Sequence, residues 1–151
     1  KTAQTGVTLF TEELNPQPGL IAGTFAGSTA ALSAGLAVIE ELESGGYMGR
    51  GGKIETIHTE FVAMLNRLNE TTCKGLLRDA GGLGLMVAVT PLDGSQAKQQ
   101  QLLKSLFKNG LLTFGCGRNP WRLRFLLPAV MTSQDIKVAE KLLEQSIQEC
   151  S

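Results

Sequence analysis

Gly81-Gly82-Leu83-Gly84-Leu85-Met86-Val87-Ala88-Val89-Thr90-Pro91 contains the most apolar run in the chain. From Leu83 to Val89 the run is bounded by glycine and proline, and it reads as a buried strand. An amphipathic helix lies on either side. The first, Lys53 to Leu68, has Ile54, Ile57, Phe61, Leu65 and Leu68 at helical spacing. The second, Ser95 to Asn109, carries Leu102, Leu103, Leu106 and Phe107 and stops at Gly110. Two shorter strands are expected next, Leu111 to Phe114 and Trp121 to Leu127, separated by the turn Gly115 to Pro120. The last helix is capped by Thr132 or Ser133, has Asp135 in its first turn, and buries Ile136, Ala139, Leu143 and Ile147. Three strands joined partly by helices imply an α+β layer, a small sheet with helices on one face.

Upstream of this layer the chain has a different character. Residues 1–27 hold a β-like run, Gly6 to Phe10, then a turn-rich stretch from Asn15 to Gly19 and the motif Gly23-Thr24-Phe25-Ala26-Gly27. Ser28 to Glu43 reads as a helix that Ser28 or Thr29 can cap. Leu32, Leu36 and Ile39 mark one stripe of it, and Ala30, Ala31, Ala34 and Ala37 keep the surrounding surface small. The glycine-rich stretch 45–52 ends that helix as a loop or hinge.

Composition excludes several classes. The 151 residues are 42% hydrophobic and 19% charged, so the chain has the makings of a core and is not of a disordered type. Fourteen Lys+Arg balance fourteen Asp+Glu, which argues against a general electrostatic grip on nucleic acid or an anionic membrane. Leu83 to Leu92 is far shorter than the roughly 20 apolar residues of a membrane helix. Cys73, Cys116 and Cys150 are widely spaced, and His58 is the one imidazole, so no zinc pattern is present. Reduced thiols suit a cytoplasmic protein. The chain opens at Lys1 on what reads like mid-protein sequence, and the expectation is a fragment.

Three places could carry chemistry. Thr24, flanked by glycine just ahead of a helix, puts a hydroxyl near free backbone N–H groups, as a phosphate or oxyanion requires; an ordinary helix lead-in is the plainer account of the same residues. Arg122 and Arg124 lie two apart on a strand, so both guanidinium groups leave the face opposite Trp121, Leu123 and Phe125. A planar guanidinium on a rigid strand is suited to a carboxylate. Arg122 is expected to be solvated surface charge, and Arg124 stays open between that role and ligand binding. Lys1, ahead of a small polar run, has the approachable ε-amine of a Schiff-base lysine, although a terminal lysine is also an ordinary boundary residue. His58 reads as exposed or partly packed, having no nucleophile beside it. Gly81-Gly82-Leu83-Gly84 leads into a strand rather than a helix, and so is no phosphate loop.

Taken in order, Gly23 to Gly27, the alanine-rich helix Ala30 to Ile39, the helix through Phe61, Gly84 to Ala88, Asn109 to Leu112, Arg124 to Pro128 and Thr132 to Ile136 are distinctive. Together they make the chain resemble the C-terminal portion of class III, fold-type I, pyridoxal-phosphate aminotransferases. Acetylornithine, ornithine and gamma-aminobutyrate aminotransferases and glutamate semialdehyde aminomutase are of this kind. The resemblance implies a small C-terminal domain with a three-stranded, mainly antiparallel sheet, preceded by a long linking helix. It assigns 1–27 to the end of the large cofactor-binding domain, 28–50 to the linking helix and loop, and 51–151 to the small domain. It implies that Thr24 bonds the pyridoxal 5'-phosphate phosphate of the partner subunit in a homodimer. It also implies that Arg124 meets a substrate carboxylate or a glutamate that gates that contact. The Schiff-base lysine of such enzymes lies near the position of Lys1, which is that lysine or follows it closely.

The resemblance also implies limits. Many relatives follow the threonine motif with Gly-Gly-Asn-Pro where this chain has Ala26-Gly27-Ser28-Thr29, which leaves the amino donor open. The family's phosphate loop, ring-stacking aromatic residue and ring-nitrogen aspartate have no counterpart in these residues, so this chain alone is expected to be inactive. Two alternatives accompany the aminotransferase reading. One is a stand-alone α+β regulatory or interaction module, and the other is an aminomutase using the same cofactor.

Overall fold

The computed structural model of the chain describes residues 6–20, 23–24 and 26–151. Contacts divide it into two compact units, Lys1–Gly46 and Tyr47–Ser151. The first unit carries a short 3-10 turn, Glu12–Leu14, and helix α1, Thr29–Ser44. Ser28 is the N-cap by backbone geometry, and its side chain makes no capping bond. The apolar stripe of α1 stays largely outside any core: Leu36 is 58% exposed and Ala31 is the helix's buried residue. Residues 6–10, expected to be β-like, form no strand. Val7 and Leu9 are exposed there, and among the described residues no strand lies beside them to pair their backbone.

The second unit is the α+β layer. Helix α2 (Lys53–Glu70) leads to strands β1 (Leu77–Leu83) and β2 (Met86–Pro91). Helix α3 (Gln96–Lys108), strands β3 (Phe114–Cys116) and β4 (Arg122–Leu126), and helix α4 (Ser133–Gln148) follow. The sheet has the order β1-β2-β4-β3, with every neighbouring pair antiparallel. It therefore has four strands rather than three. The extra strand is β1, whose sequence Leu-Arg-Asp-Ala-Gly-Gly-Leu lacks alternation and carries residues disfavoured in strands. The run Leu83 to Val89 is not one strand, because the chain reverses at Gly84 and Leu85, pairing Leu83 with Met86 and Gly82 with Val87. Gly84 takes φ +54°, a backbone that side chains rarely adopt. Leu83 consequently sits at a hairpin tip and is 88% exposed. The edge strand β3 lies a few residues later than the expected Leu111 to Phe114, and β4 falls within the expected Trp121 to Leu127.

Strand periodicity sorts the two faces of the sheet. Val87 and Val89 on β2, and Leu123 and Phe125 on β4, are buried against the helices. The Phe125 ring meets Phe61 of α2 at 5.1 Å between centroids and an interplanar angle of 59°. Met64, Leu65 and Leu68 of α2, Leu102 and Leu106 of α3, and Leu143 and Ile147 of α4 complete one core. Fully burying a side chain of this size contributes about 1.5–3 kcal/mol, so each helix is held by its apolar face more than by its own propensity. Phe107 departs from the expected stripe and is 72% exposed, because α3 turns Leu102 and Leu106 inward and Phe107 falls past that face.

Polar groups fix the layer at two points. Gln99, buried on α3, donates from Nε2 to the carbonyls of Arg122 (2.6 Å) and Cys116 (3.3 Å), joining the helix to both strands of the β3–β4 pair. A Cβ on Gly115 would lie 2.9 Å from that amide nitrogen, so a side chain there would push the Gln99 amide off its two carbonyls. At α4 a full capping box forms. The Asp135 backbone N–H donates to the Thr132 hydroxyl (3.2 Å), and the Thr132 backbone N–H donates to the Asp135 carboxylate (2.8 Å).

Two outcomes follow from this geometry. A Cβ on Gly82 would lie 2.0 Å from the Met86 carbonyl oxygen, which is too close for any side chain. Gly82→Ala should destabilise the second unit by about 1–3 kcal/mol through forced backbone displacement, read as a lower urea midpoint; an unchanged midpoint would contradict the hairpin. The Thr132 hydroxyl, then its backbone N–H, hold the Asp135 carboxyl below the usual carboxylate range. A lowered folded-state value means this stabilisation is present above the ordinary carboxylate pKa and fades as pH falls through the lowered one. Thr132→Ala should cost about 0.5–2 kcal/mol at neutral pH. The difference from the parent should shrink in acid, as followed by denaturation at several pH values.

Candidate functional site

The face of the sheet turned away from the helices carries an open groove of about 670 Å³. Its floor is made of small residues, Gly81 and Gly82 of β1 and Ala88 of β2, which leave room above the strands. Arg122, Arg124 and Cys116 form one side, and Leu83 and Met86 give the other an apolar character. Strand alternation puts both arginines here because Leu123 and Phe125 are claimed by the core.

The two guanidinium groups differ. Nη2 of Arg122 donates to the carbonyls of Asp79 and Ala88, the latter at 3.1 Å. Asp79 lies in the β-bulge between Arg78 and Gly81, with φ +56°. Arg122 thus ties β4 across β2 to the irregular part of β1. The expected role of solvated surface charge is therefore corrected: Arg122 is half-buried and bonded to backbone, because the bulge turns a carbonyl toward the groove. Arg124 makes no side-chain hydrogen bond among the described residues, and its Nε, like that of Arg122, is buried without a partner. Its guanidinium carbon lies over the Phe114 ring, 5.9 Å from the centroid. The Thr113 hydroxyl donates to the Arg124 carbonyl at 2.7 Å, fixing the backbone beneath the side chain. A half-buried guanidinium with uncommitted N–H groups in a groove is chemically suited to an anion, and a carboxylate matches its fork.

The remaining candidates are placed as follows. Thr24 is exposed in a turn closed by the Ala26 N–H on the Gly23 carbonyl (3.1 Å), and its hydroxyl has no side-chain partner among the described residues. Lys1 and Phe25 lie outside the described residues. His58 is half-buried, with Nδ1 2.7 Å from the Gly84 carbonyl oxygen, so it donates there and ties α2 to the β1–β2 turn. That is a packing role, in keeping with the sequence reading, and the glycines at 81–84 form a hairpin rather than a phosphate loop. The sequence reading did not find the groove's other wall. Asp79 and Gly81 belong to a strand without a periodic signal, and Phe114 looked like one more sheet residue. The directly opposed pair Phe114 and Arg124 shows only in the register.

A one-sided antiparallel sheet backed by three helices is the architecture of an aminotransferase C-terminal domain. No family model matches the chain. Against curated proteins it is 30% identical over 138 residues to the 5-aminovalerate aminotransferase DavT of Pseudomonas putida, covering 88% of this chain and 30% of that protein. It is 28% identical over 132 residues to the acetylornithine aminotransferase of Synechocystis, covering 87% and 29%. Among solved structures, the lysine aminotransferase of M. tuberculosis in the internal aldimine form superposes with a TM-score of 0.74 at 19% identity, over 89% of this chain and 29% of that one. An acetylornithine aminotransferase from Elizabethkingia anophelis gives 0.69 at 24% identity, over 89% and 33%. In sequence and in fold the chain resembles the C-terminal portion of class III aminotransferases. It spans about 30% of the length of the curated relatives it matches. No helix among the described residues is long and apolar enough to cross a membrane.

Thiol chemistry gives a direct check on this arrangement. Burial first, then the nearby Glu144 carboxylate, raise the Cys73 thiol pKa against a hydrogen bond from Thr72; burial likewise raises that of Cys150. Cys116 is half-buried in the groove wall. Iodoacetamide at neutral pH should therefore label Cys116 well before the other two cysteines, as read by peptide mass mapping. Equal labelling of all three in the native chain would contradict the core described above.

Proposed function

We propose that the chain is the C-terminal part of a pyridoxal-phosphate aminotransferase, moving an amino group between an amino acid or amine and a keto acid or aldehyde. Within it, 1–27 would close the large domain, 28–50 would link, and 51–151 would form the small domain. The break between compact units at Gly46 and Tyr47 falls inside that link and supports the division. A cytoplasmic homodimer is part of the proposal, and three free thiols suit a reducing compartment.

The observation that carries the reading is the contrast on β4. Nη2 of Arg122 is committed to two backbone carbonyls, while Arg124 beside it makes no side-chain hydrogen bond among the described residues, and Nε of each is buried without a partner. Arg124 would fix a substrate carboxylate, directly or through an acidic gate, and so orient the amino-bearing carbon. The cofactor, when bound, supplies an electron sink for that carbon. This chain's described residues fit one part of that cofactor: Thr24 offers an exposed hydroxyl in a glycine-flanked turn, suited to a phosphate oxygen of the partner subunit's group. Lys1 remains the proposed Schiff-base lysine on resemblance alone.

In the intact protein, Arg124→Gln should raise KM for carboxylate substrates and lower turnover. The combined loss in kcat/KM should be about 10- to 100-fold, from the removal of a charge-assisted hydrogen bond worth about 1.5–3 kcal/mol. Unchanged kinetics with every carboxylate substrate would remove Arg124 from this role. A full-length protein that neither gains absorbance with pyridoxal phosphate nor exchanges amino groups would overturn the reading as a whole.

A further inference from the structure

The geometry points to Phe114 as the positioning residue of Arg124: its ring lies beneath the guanidinium carbon and restrains the group without taking a hydrogen-bond donor that a carboxylate would use. This inference rests on the carboxylate reading of Arg124. Phe114 and Arg124 are directly opposite in the β3–β4 register, so their side chains rise on the same open face of the sheet. The Arg124 guanidinium carbon lies over the ring, 5.9 Å from its centre, within the range of cation–π attraction. Phe114 is 45% exposed on a three-residue edge strand and belongs to no core cluster. Its placement is therefore not required by the packing that explains Leu123 or Phe125.

The restraint has a particular chemical consequence. A guanidinium carries its five N–H donors in its plane, so an aromatic ring on one face immobilises the group without taking any of them. Hydrogen bonding immobilises by the opposite means, as Arg122 shows, since its bonds to Asp79 and Ala88 use donors a ligand would need. The Thr113 hydroxyl on the Arg124 carbonyl fixes the same residue from below. Thr113 and Phe114 thus act from consecutive positions, one on the backbone and one on the side chain. A group held in this way loses less conformational freedom when a carboxylate binds.

The test compares the 151-residue chain with Phe114→Ile, Phe114→Tyr and Arg124→Gln, using glutarate as the probe and NMR of the Arg124 Nε–Hε group as the readout. Isoleucine keeps apolar character and strand preference but offers no ring face; tyrosine keeps the ring. Without ligand, Phe114→Ile should lower the heteronuclear NOE of Nε–Hε, and Phe114→Tyr should leave it near the parent value. With glutarate, Phe114→Ile should bind about two- to fivefold more weakly, and Phe114→Tyr should bind within twofold of the parent. An NOE and an affinity both unchanged in Phe114→Ile overturn the inference while leaving Arg124 as the carboxylate group. Equal losses in the isoleucine and tyrosine variants also overturn it, because they would show bulk rather than the ring face to matter. If the parent and Arg124→Gln bind glutarate alike, the carboxylate reading itself fails, whatever the ligand-free NOE of the Phe114 variants shows about restraint.

Discussion

Burial of one face of a pleated sheet governs the rest of the second unit. Val87, Val89, Leu123 and Phe125 lie at 4% exposure or less, and the three helices α2, α3 and α4 supply the surface they bury against. Side chains along a strand alternate, so claiming Leu123 and Phe125 for the core commits Arg122 and Arg124 to the opposite face. A shift of one residue would bury both guanidinium groups and expose the core, at a cost far beyond the marginal stability of a domain. The groove thus follows from the same constraint that makes the core.

The groove is shaped as much by what is missing as by what is present. Gly81, Gly82 and Ala88 present little or no side chain above the sheet, and the bulge in β1 brings the Asp79 carbonyl within reach of Arg122. Two arginines of identical chemistry, two residues apart, therefore come to different ends. One stitches three strands together through backbone carbonyls, while the other rests over an aromatic ring with its donors uncommitted. Neighbouring groups, rather than residue type, separate the structural arginine from the candidate ligand-binding one.

The helices of the second unit were legible along the chain because their apolar residues recur with helical period and their ends carry explicit signals. Thr132 with Asp135, and Gly110 after α3, are examples. Strand β1 was not legible, since Asp79, Gly81 and Gly82 erase the alternation that marks a strand. The same loss explains why Leu83 to Val89 looked like a single strand: an apolar run contains no mark of a reversal beyond Gly84, and glycine is compatible with both. Phe107 shows the limit of period counting on α3, where a residue adjacent to the inward stripe falls outside it.

For the site, the facing of Arg122 and Arg124 to one side was readable from spacing alone, because a strand has a period of two. Thr24 was readable as a polar residue in a glycine-flanked turn. Tertiary structure decided that Arg122 is bonded and Arg124 is not, and that Phe114 stands opposite Arg124. It also decided that Gln99 reaches from α3 to hold the strand bearing both arginines. The physical reason is the range of the interactions. Periodicity, caps and turns act over a few neighbouring residues and are written into local order. Hydrogen bonds from Arg122 to Asp79, 43 positions away, and from Gln99 to Arg122, 23 positions away, exist only once the strands have found their register.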